Sequence, residues 1–262
     1  MKSFFIVINF LVIEFFVALE VKDTENRRKI RKNMYFYIVK LIAMSIKSKI
    51  ESLRAALPEG VKLLAVSKFH PVEAIEEAYA AGQRAFGESR PQELKQKYEV
   101  LPHDIEWHMI GHLQTNKVKM IAPFVAMISS VDSERLIEEI ERQAARNNRT
   151  IEILLEAHVA DEQTKSGWSP DELKAYVASG ALAAMPHIRV RGLMTIATNT
   201  DNEEIIRRDF QHIRDLFEEL KSHFDSNFDT LSIGMSDDYP IALEYGSTMV
   251  RIGTAIFGAR EY

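Results

Sequence analysis

A lysine at the end of an apolar run is the first residue of this sequence that could do chemistry. Lys68 directly follows LLAVS (residues 63–67), a run typical of a buried strand. Apolar surroundings disfavour the ammonium form of a lysine, and the neutral amine can add to an aldehyde to form a Schiff base. The alternative is a lysine that extends from the strand end into solvent, where its charge is hydrated. Position alone leaves both interpretations open.

A glycine-containing segment near the C-terminus could hold an anion. Within residues 246–258 (GSTMVRIGTAIFG), a predicted strand carries Arg251, followed by Gly253 and Thr254. A ligand can approach the backbone N–H groups of such a segment closely where the residue is glycine. The segment therefore fits either a phosphate cradle or a loop that merely completes the fold.

Hydroxyl groups and a cation are expected beside this segment. Ser232 and Ser236 follow the preceding predicted strand, and their hydroxyls could donate hydrogen bonds to the same anion. Arg251 would add a permanent positive charge. In the alternative interpretation, Arg251 pairs with an acid such as Glu244 and serves no ligand.

The histidines do not predict a metal site. His108 and His112 are four residues apart, but Gly111 and the strand context deny them a shared helical face. The chain has no cysteine, which excludes a disulfide framework, a thiolate nucleophile and a Cys-based zinc site. Other polar residues predicted near strand ends are Ser89, His112, Asp132, Lys165 and Thr195.

Short apolar runs alternate with amphipathic helical stretches from Lys62 onward. Strands that are apolar on both faces are typical of a parallel sheet covered by helices. Eight such alternations predict an α/β fold, a single (β/α)8 TIM-type barrel, with functional residues at the C-terminal ends of its strands. The predicted strands are 62–68, 84–89, 106–112, 124–132, 150–159, 187–196, 228–235 and 247–258.

Composition fits one barrel domain preceded by a different kind of segment. The 262 residues are 46% hydrophobic, enough for a packed core, and the net charge of −5 disfavours nucleic-acid binding. Residues 1–43 contain eight basic and four acidic residues, whereas residues 44–262 contain 25 and 34. This change of sign predicts a domain boundary near Met44.

The N-terminal segment could be a signal anchor, a genuine extension or the product of a start assigned too early. Its apolar stretch, residues 4–19, is shorter than the roughly 20 residues that span a membrane, and it contains Glu14. Residues 45–57 predict an ordinary amphipathic opening helix. We therefore expect translation to begin at Met34 or Met44, and we expect no membrane association.

Taken together, the motifs resemble one family, the pyridoxal phosphate homeostasis proteins. The resemblance covers residues 45–262, and its last block is long and specific. The motifs are AVSK (65–68), FGES (86–89), WHMIGHLQTNK (107–117), TKSGW (164–168), GLMTI (192–196) and LSIGMSDDYPIALEYGSTMVRIGTAIFG (231–258).

The resemblance implies a barrel of the alanine racemase N-terminal type that binds pyridoxal 5′-phosphate (PLP). Carried over by motif, Lys68 would form the internal aldimine with PLP. Ser232, Gly253 and Thr254 would hold its phosphate. Met235 and Ser236 would lie close by.

Two further residues acquire roles through the same resemblance. Arg251 would face the pyridine nitrogen of PLP, where a guanidinium cannot accept the proton that makes the ring a strong electron sink. The resemblance therefore implies a holder of PLP more than a catalyst. Ser89 stands where many members carry Asn, and the resemblance implies that it contacts the cofactor.

The family is regarded as a carrier and regulator of PLP, and PLP-dependent apoenzymes are the expected recipients. We expect a cytoplasmic location for this chain. We expect a monomer or a weak dimer. Because the sequence ends four residues after Gly258, we expect no second domain of the kind that supplies a catalytic tyrosine in alanine racemases. The alternatives are a racemase-like PLP enzyme of fold type III and a Schiff-base aldolase that uses Lys68 without PLP.

Overall fold

A computed structural model describes residues 45–160 and 166–258 of the chain. Eight parallel strands form a closed barrel in the order β1 to β8, and helices alternate with them, so the predicted (β/α)8 barrel is confirmed. The strands are β1 (Lys62–Val66), β2 (Ala85–Glu88), β3 (Glu106–Met109), β4 (Met127–Val131), β5 (Ile151–Glu156), β6 (Ile188–Met194), β7 (Thr230–Ser232) and β8 (Met249–Ile252).

The helices occupy the connections that the sequence predicted. Helix α1 begins after Ser45, whose hydroxyl accepts a hydrogen bond from the Ser48 N–H, and it precedes the barrel as expected. The helices are α1 (Ile46–Ala56), α2 (Val72–Ala80), α3 (Pro91–Val100), α4 (Thr115–Ile121), α5 (Glu134–Arg146), α6 (Pro170–Ala178), α7 (Glu203–Leu220), α8 (Tyr239–Glu244) and α9 (Thr254–Phe257).

Two separate apolar layers explain why the strands read as continuous apolar runs. Alternate side chains of each strand point into the barrel or outward against the helices. The outer layer includes Phe86, Trp107 and Phe210. The inner layer consists of Leu64, Ala85, Met127, Leu154, Met194 and Met249.

The prediction of one strand over 247–258 is wrong in its second half. Strand β8 ends at Ile252, and residues Thr254–Phe257 form helix α9. Gly253 leaves the extended conformation, with φ −114° and ψ −75°, and its carbonyl accepts hydrogen bonds from the N–H groups of Ile256 and Phe257. A short apolar run occurs both in buried strands and in buried helices, so the sequence pattern alone did not show where β8 ends and α9 begins.

Several expectations fall on residues outside the described part of the chain. These are the N-terminal segment 1–43, the boundary at Met44 and the candidate residue Lys165. Within residues 45–160 and 166–258, no helix combines the length and the apolar character needed to cross a membrane.

Candidate functional site

The eight residues predicted to bind the cofactor lie at the C-terminal ends of four neighbouring strands. Strand β1 pairs with β2 on one side and with β8 on the other, and β8 pairs with β7. The structure therefore brings these residues to one side of the barrel mouth. Lys68 follows β1, Ser89 follows β2, Ser232 ends β7 with Met235 and Ser236 after it, and Arg251 lies in β8 with Gly253 and Thr254 after it.

Lys68 lies in the loop after β1 and is half-buried. Leu64 of this strand belongs to the inner layer, and β1 ends at Val66, two residues before Lys68. The next residue, Phe69, has a φ of +66°, an uncommon conformation for a residue other than glycine. The loop that carries Lys68 therefore turns sharply after the lysine.

A buried ionic cluster lies directly behind this loop, and sequence reasoning missed it. The Lys97 ammonium donates to the Ser67 carbonyl (2.9 Å), to Glu88 Oε1 (2.8 Å) and to Glu93 Oε1 (2.7 Å). The Ser67 hydroxyl donates to Glu88 Oε1 (2.6 Å). The Phe69 N–H donates to Glu93 Oε1 (2.7 Å). The cluster therefore holds the backbone on both sides of Lys68.

Glu88 is the least satisfied member of the cluster. Burial raises the pKa of Glu88 to about 7, and the charge and hydrogen bond of Lys97 oppose this shift. Its second oxygen, Oε2, has no hydrogen-bond partner among the described residues. A proton on this carboxyl in the folded protein is therefore favourable near neutral pH.

Gly253 packs tightly against the end of β1. A Cβ atom at this position would lie 3.2 Å from the Val66 carbonyl oxygen and 3.4 Å from Val66 Cβ. Thr254 beside it is exposed, and the Ser236 hydroxyl accepts a hydrogen bond from the Ala255 N–H (3.4 Å). The segment after β7 therefore contacts the start of α9, next to the strand that leads to Lys68.

Arg251 is buried inside the barrel and holds neighbouring strands. Its guanidinium donates to the Ser232 carbonyl (2.6 Å) and hydroxyl (3.0 Å), and to the Thr195 carbonyl (2.8 Å). Burial lowers the pKa of Arg251 to about 10. The alternative pairing with Glu244 is wrong, because Glu244 pairs with Arg207 instead (2.5 Å).

Ser89 is packed against a glycine of the next loop. A Cβ atom at Gly111 would lie 2.7 Å from the Ser89 carbonyl oxygen, closer than such atoms can approach. The close contact fixes the backbone of Ser89 at the end of β2, and its side chain is half-buried.

The opposite side of the mouth contains an acid that the sequence reasoning also missed. Glu156 ends β5 and is 5% exposed, and burial raises its pKa to about 7. The Ser166 hydroxyl donates to Oε1 (3.2 Å), whereas Oε2 has no partner in the described part of the chain. Its position inside the apolar run TIEILLEAHV concealed it, because an acid in such a run is ordinarily solvated.

His108 and His112 lie in different environments. His112 is exposed and pairs through Nδ1 with Asp132 (2.8 Å). His108 is buried in β3, and burial lowers its pKa to about 3, so it is neutral. Within residues 45–160 and 166–258, no group of three or more His, Asp or Glu side chains could hold a metal ion.

Comparison with known proteins relates this barrel to two groups. The family model described as the N-terminal domain of alanine racemase matches residues 43–261. The pyridoxal phosphate homeostasis protein of Aquifex aeolicus is 43% identical over 202 residues, which cover 77% of this chain and 88% of that protein. Its counterpart from Escherichia coli strain K12 is 41% identical over 212 residues, 78% of this chain and 88% of that protein.

One solved structure that is similar to this chain contains PLP. PipY of Synechococcus elongatus PCC7942, solved with PLP bound, is 38% identical, has a TM-score of 0.74, and the match covers 82% of this chain and all of PipY. Alanine racemase from E. faecalis shares the fold, with a TM-score of 0.64 at 18% identity over 83% of this chain and 58% of the enzyme. By its barrel, its motifs and these similarities, this chain belongs to the family of pyridoxal phosphate homeostasis proteins.

Proposed function

We propose that this protein binds PLP through Lys68 and takes part in the homeostasis and delivery of PLP in the cytoplasm. One observation carries the proposal: the loop with Lys68 and the segment with Gly253 and Thr254 follow adjacent, hydrogen-bonded strands. A ligand with an aldehyde and an anionic group can engage both segments at once.

The residues of the mouth fit the chemical groups of PLP. Hydroxyl groups on Ser232, Ser236 and Thr254 suit a phosphate, since they can donate hydrogen bonds to an anion. A side chain at Gly253 would crowd Val66, so glycine lets this segment lie close to the end of β1. Met235 and Ser89 complete the proposed contacts.

Lys68 supplies the covalent attachment in this proposal. Its uncharged nitrogen attacks the aldehyde carbon, a C=N bond forms, and the aldehyde oxygen leaves as water. Addition of water reverses the reaction and returns the free amine. A reversible bond of this kind suits a protein that holds a reactive aldehyde and later releases it to an apoenzyme.

Arg251 supports holding over catalysis. PLP, when bound, supplies an electron sink whose strength depends on a protonated pyridine nitrogen. The Arg251 guanidinium is fixed by three hydrogen bonds to Ser232 and Thr195, and it has no lone pair with which to accept a proton. Facing the pyridine nitrogen, it would keep that nitrogen unprotonated and the sink weak.

The names of relatives point the same way. The relatives from Aquifex aeolicus and Escherichia coli are named for PLP homeostasis, and PipY was solved with PLP bound. We extend PLP binding and a role in PLP homeostasis to this chain. We further propose that it delivers PLP to PLP-dependent apoenzymes and that it is a monomer or a weak dimer.

Absorbance spectroscopy of the purified full chain tests the proposal. Addition of PLP should produce the visible band of a lysine-bound imine, and Lys68→Ala should abolish it. Lys95→Ala is the matched control, because Lys95 is an exposed lysine on α3. A wild-type protein that gains no band at saturating PLP, or a band that survives in Lys68→Ala, would reject the proposal.

A second candidate function is exchange of the Cα proton of amino acids, and Glu156 is the observation that favours it. A buried carboxyl with a pKa of about 7 at the barrel mouth suits a group that takes and returns a proton. Deuterium incorporation from D2O distinguishes the candidates. Exchange faster than that given by free PLP, and lost in Glu156→Gln, would favour the enzyme over the carrier.

A further inference from the structure

We propose that Glu93 and Lys97, on helix α3, are positioning residues for Lys68: together they clamp the backbone on both sides of it, so that its amine is held in place for the cofactor. This inference rests on the proposed function. Neither residue faces the barrel interior, so both act through the loop.

The clamp has one contact before Lys68 and one after it. Lys97 donates to the carbonyl of Ser67 (2.9 Å), the residue that precedes Lys68. Glu93 accepts from the N–H of Phe69 (2.7 Å), the residue that follows it. Because Glu93 and Lys97 are four residues apart on one helix and bond to each other (2.7 Å), the two contacts are geometrically coupled.

The contact between Glu93 and the Phe69 N–H is made at a residue with an unfavourable backbone conformation. Phe69 has a left-handed φ of +66°, a conformation that is unfavourable for a residue with a Cβ atom. The bond from its N–H to Glu93 compensates for this conformation, and the Arg90 guanidinium lies 4.7 Å from the centre of its ring. Loss of the Glu93 carboxylate would therefore free the turn that directs Lys68.

The same loop is also fixed against the phosphate side of the proposed site. The ring of His70 stacks on Phe257 of α9 at 5.0 Å. Helix α9 begins at Thr254, so the loop with Lys68 and the segment with the phosphate donors are held together. The clamp thus sets the position of the amine relative to the place where the anion is expected.

The burial of Lys97 gives the clamp its geometric precision. Its side chain is 7% exposed, and it pairs with Glu88 as well as with Glu93. A buried ion pair tolerates little displacement, because a shift leaves a charge without compensation. An exposed pair on the same helix, Lys95 with Glu99 at 3.6 Å, lacks this constraint and provides a control.

The test compares Glu93→Ala, Glu93→Gln and the control Glu99→Ala for the rate and affinity of imine formation with PLP. We expect Glu93→Ala to weaken PLP affinity about tenfold, the factor for loss of about 1.4 kcal/mol in one hydrogen bond to a charged group. Glu93→Gln keeps an oxygen that can accept from Phe69 and should restore most of the affinity. Glu99→Ala should match the wild type.

A readout beyond affinity separates positioning from general destabilisation. At saturating PLP, folded Glu93→Ala should form the imine more slowly than the wild type, whereas mere loss of stability would reduce only the folded fraction. If Glu93→Ala does not fold, the double variant with Phe69→Gly removes the cost of the left-handed turn and should show the same slow reaction.

Imine formation by Glu93→Ala with the rate and affinity of the wild type would overturn the clamp. So would a wild-type rate in the double variant. These results are distinguishable from failure of the proposed function, in which the wild type itself forms no imine.

Discussion

Replacement of Glu88 by glutamine should change the way in which stability depends on pH. Glu88 is fully buried, and burial raises its pKa to about 7 from the ordinary value of 4.5. The folded protein keeps a proton on this carboxyl at pH values where the unfolded chain has released it. Glutamine does not titrate, so the substitution removes this difference.

The stability that this proton contributes is complete below pH 4.5 and is lost as the pH rises to about 7. In that window the folded state binds more protons than the unfolded state, so the free energy of unfolding falls as the pH rises. The size of the pKa shift corresponds to about 3 kcal/mol. The wild type should lose about that much stability relative to Glu88→Gln across the window.

Urea unfolding at a series of pH values between about 4 and 8 measures this difference. Glu156 also has a raised pKa, but it is present in both proteins, so its effect cancels. The glutamine amide at the place of Oε2 changes the free energy of unfolding by the same amount at every pH, because it does not titrate. Glu99→Gln, at an exposed carboxylate on helix α3, is the matched control. A difference between wild type and Glu88→Gln that does not vary with pH would refute the reasoning.

Three further substitutions probe the mouth. Thr254→Val should weaken PLP retention by about 1–3 kcal/mol through the loss of one phosphate donor, and an unchanged affinity in a PLP titration would remove Thr254 from the site. Arg251→Gln should shift the absorbance band of the lysine-bound cofactor, because an amide oxygen can accept a hydrogen bond from a protonated pyridine nitrogen; an unaltered band would place Arg251 away from the ring. Gly111→Ala should lower the free energy of unfolding by about 1–3 kcal/mol, because its Cβ would collide with Ser89, and wild-type stability would contradict that geometry.

The barrel was predictable because its strands are buried on both faces. A parallel strand inside a helical shell must be apolar throughout, and such runs alternating with amphipathic helices have few other solutions. The location of Lys68 followed from the same rule, since Lys68 directly follows the apolar run and the C-terminal end of that strand lies at the barrel mouth. The neighbouring placement of Gly253 and Thr254 followed once the eighth strand closed on the first.

The charged residues behind and across the mouth were not predictable from pattern. Glu88 and Glu156 each end an apolar strand, and only the packed structure shows that their partners lie on other elements, Lys97 in α3 and Ser166 after β5. The i,i+4 spacing of Glu93 and Lys97 was a visible signal, but it is shared by the exposed pair Lys95 and Glu99. Spacing along a helix does not say which face is buried.

Borohydride reduction of the PLP-loaded protein, followed by peptide mapping with mass spectrometry, tests the central claim most directly. Reduction makes the C–N bond to the attached lysine permanent. The account predicts one modified peptide, with the cofactor on Lys68. Modification of another lysine in place of Lys68, or of exposed lysines at random, would contradict it.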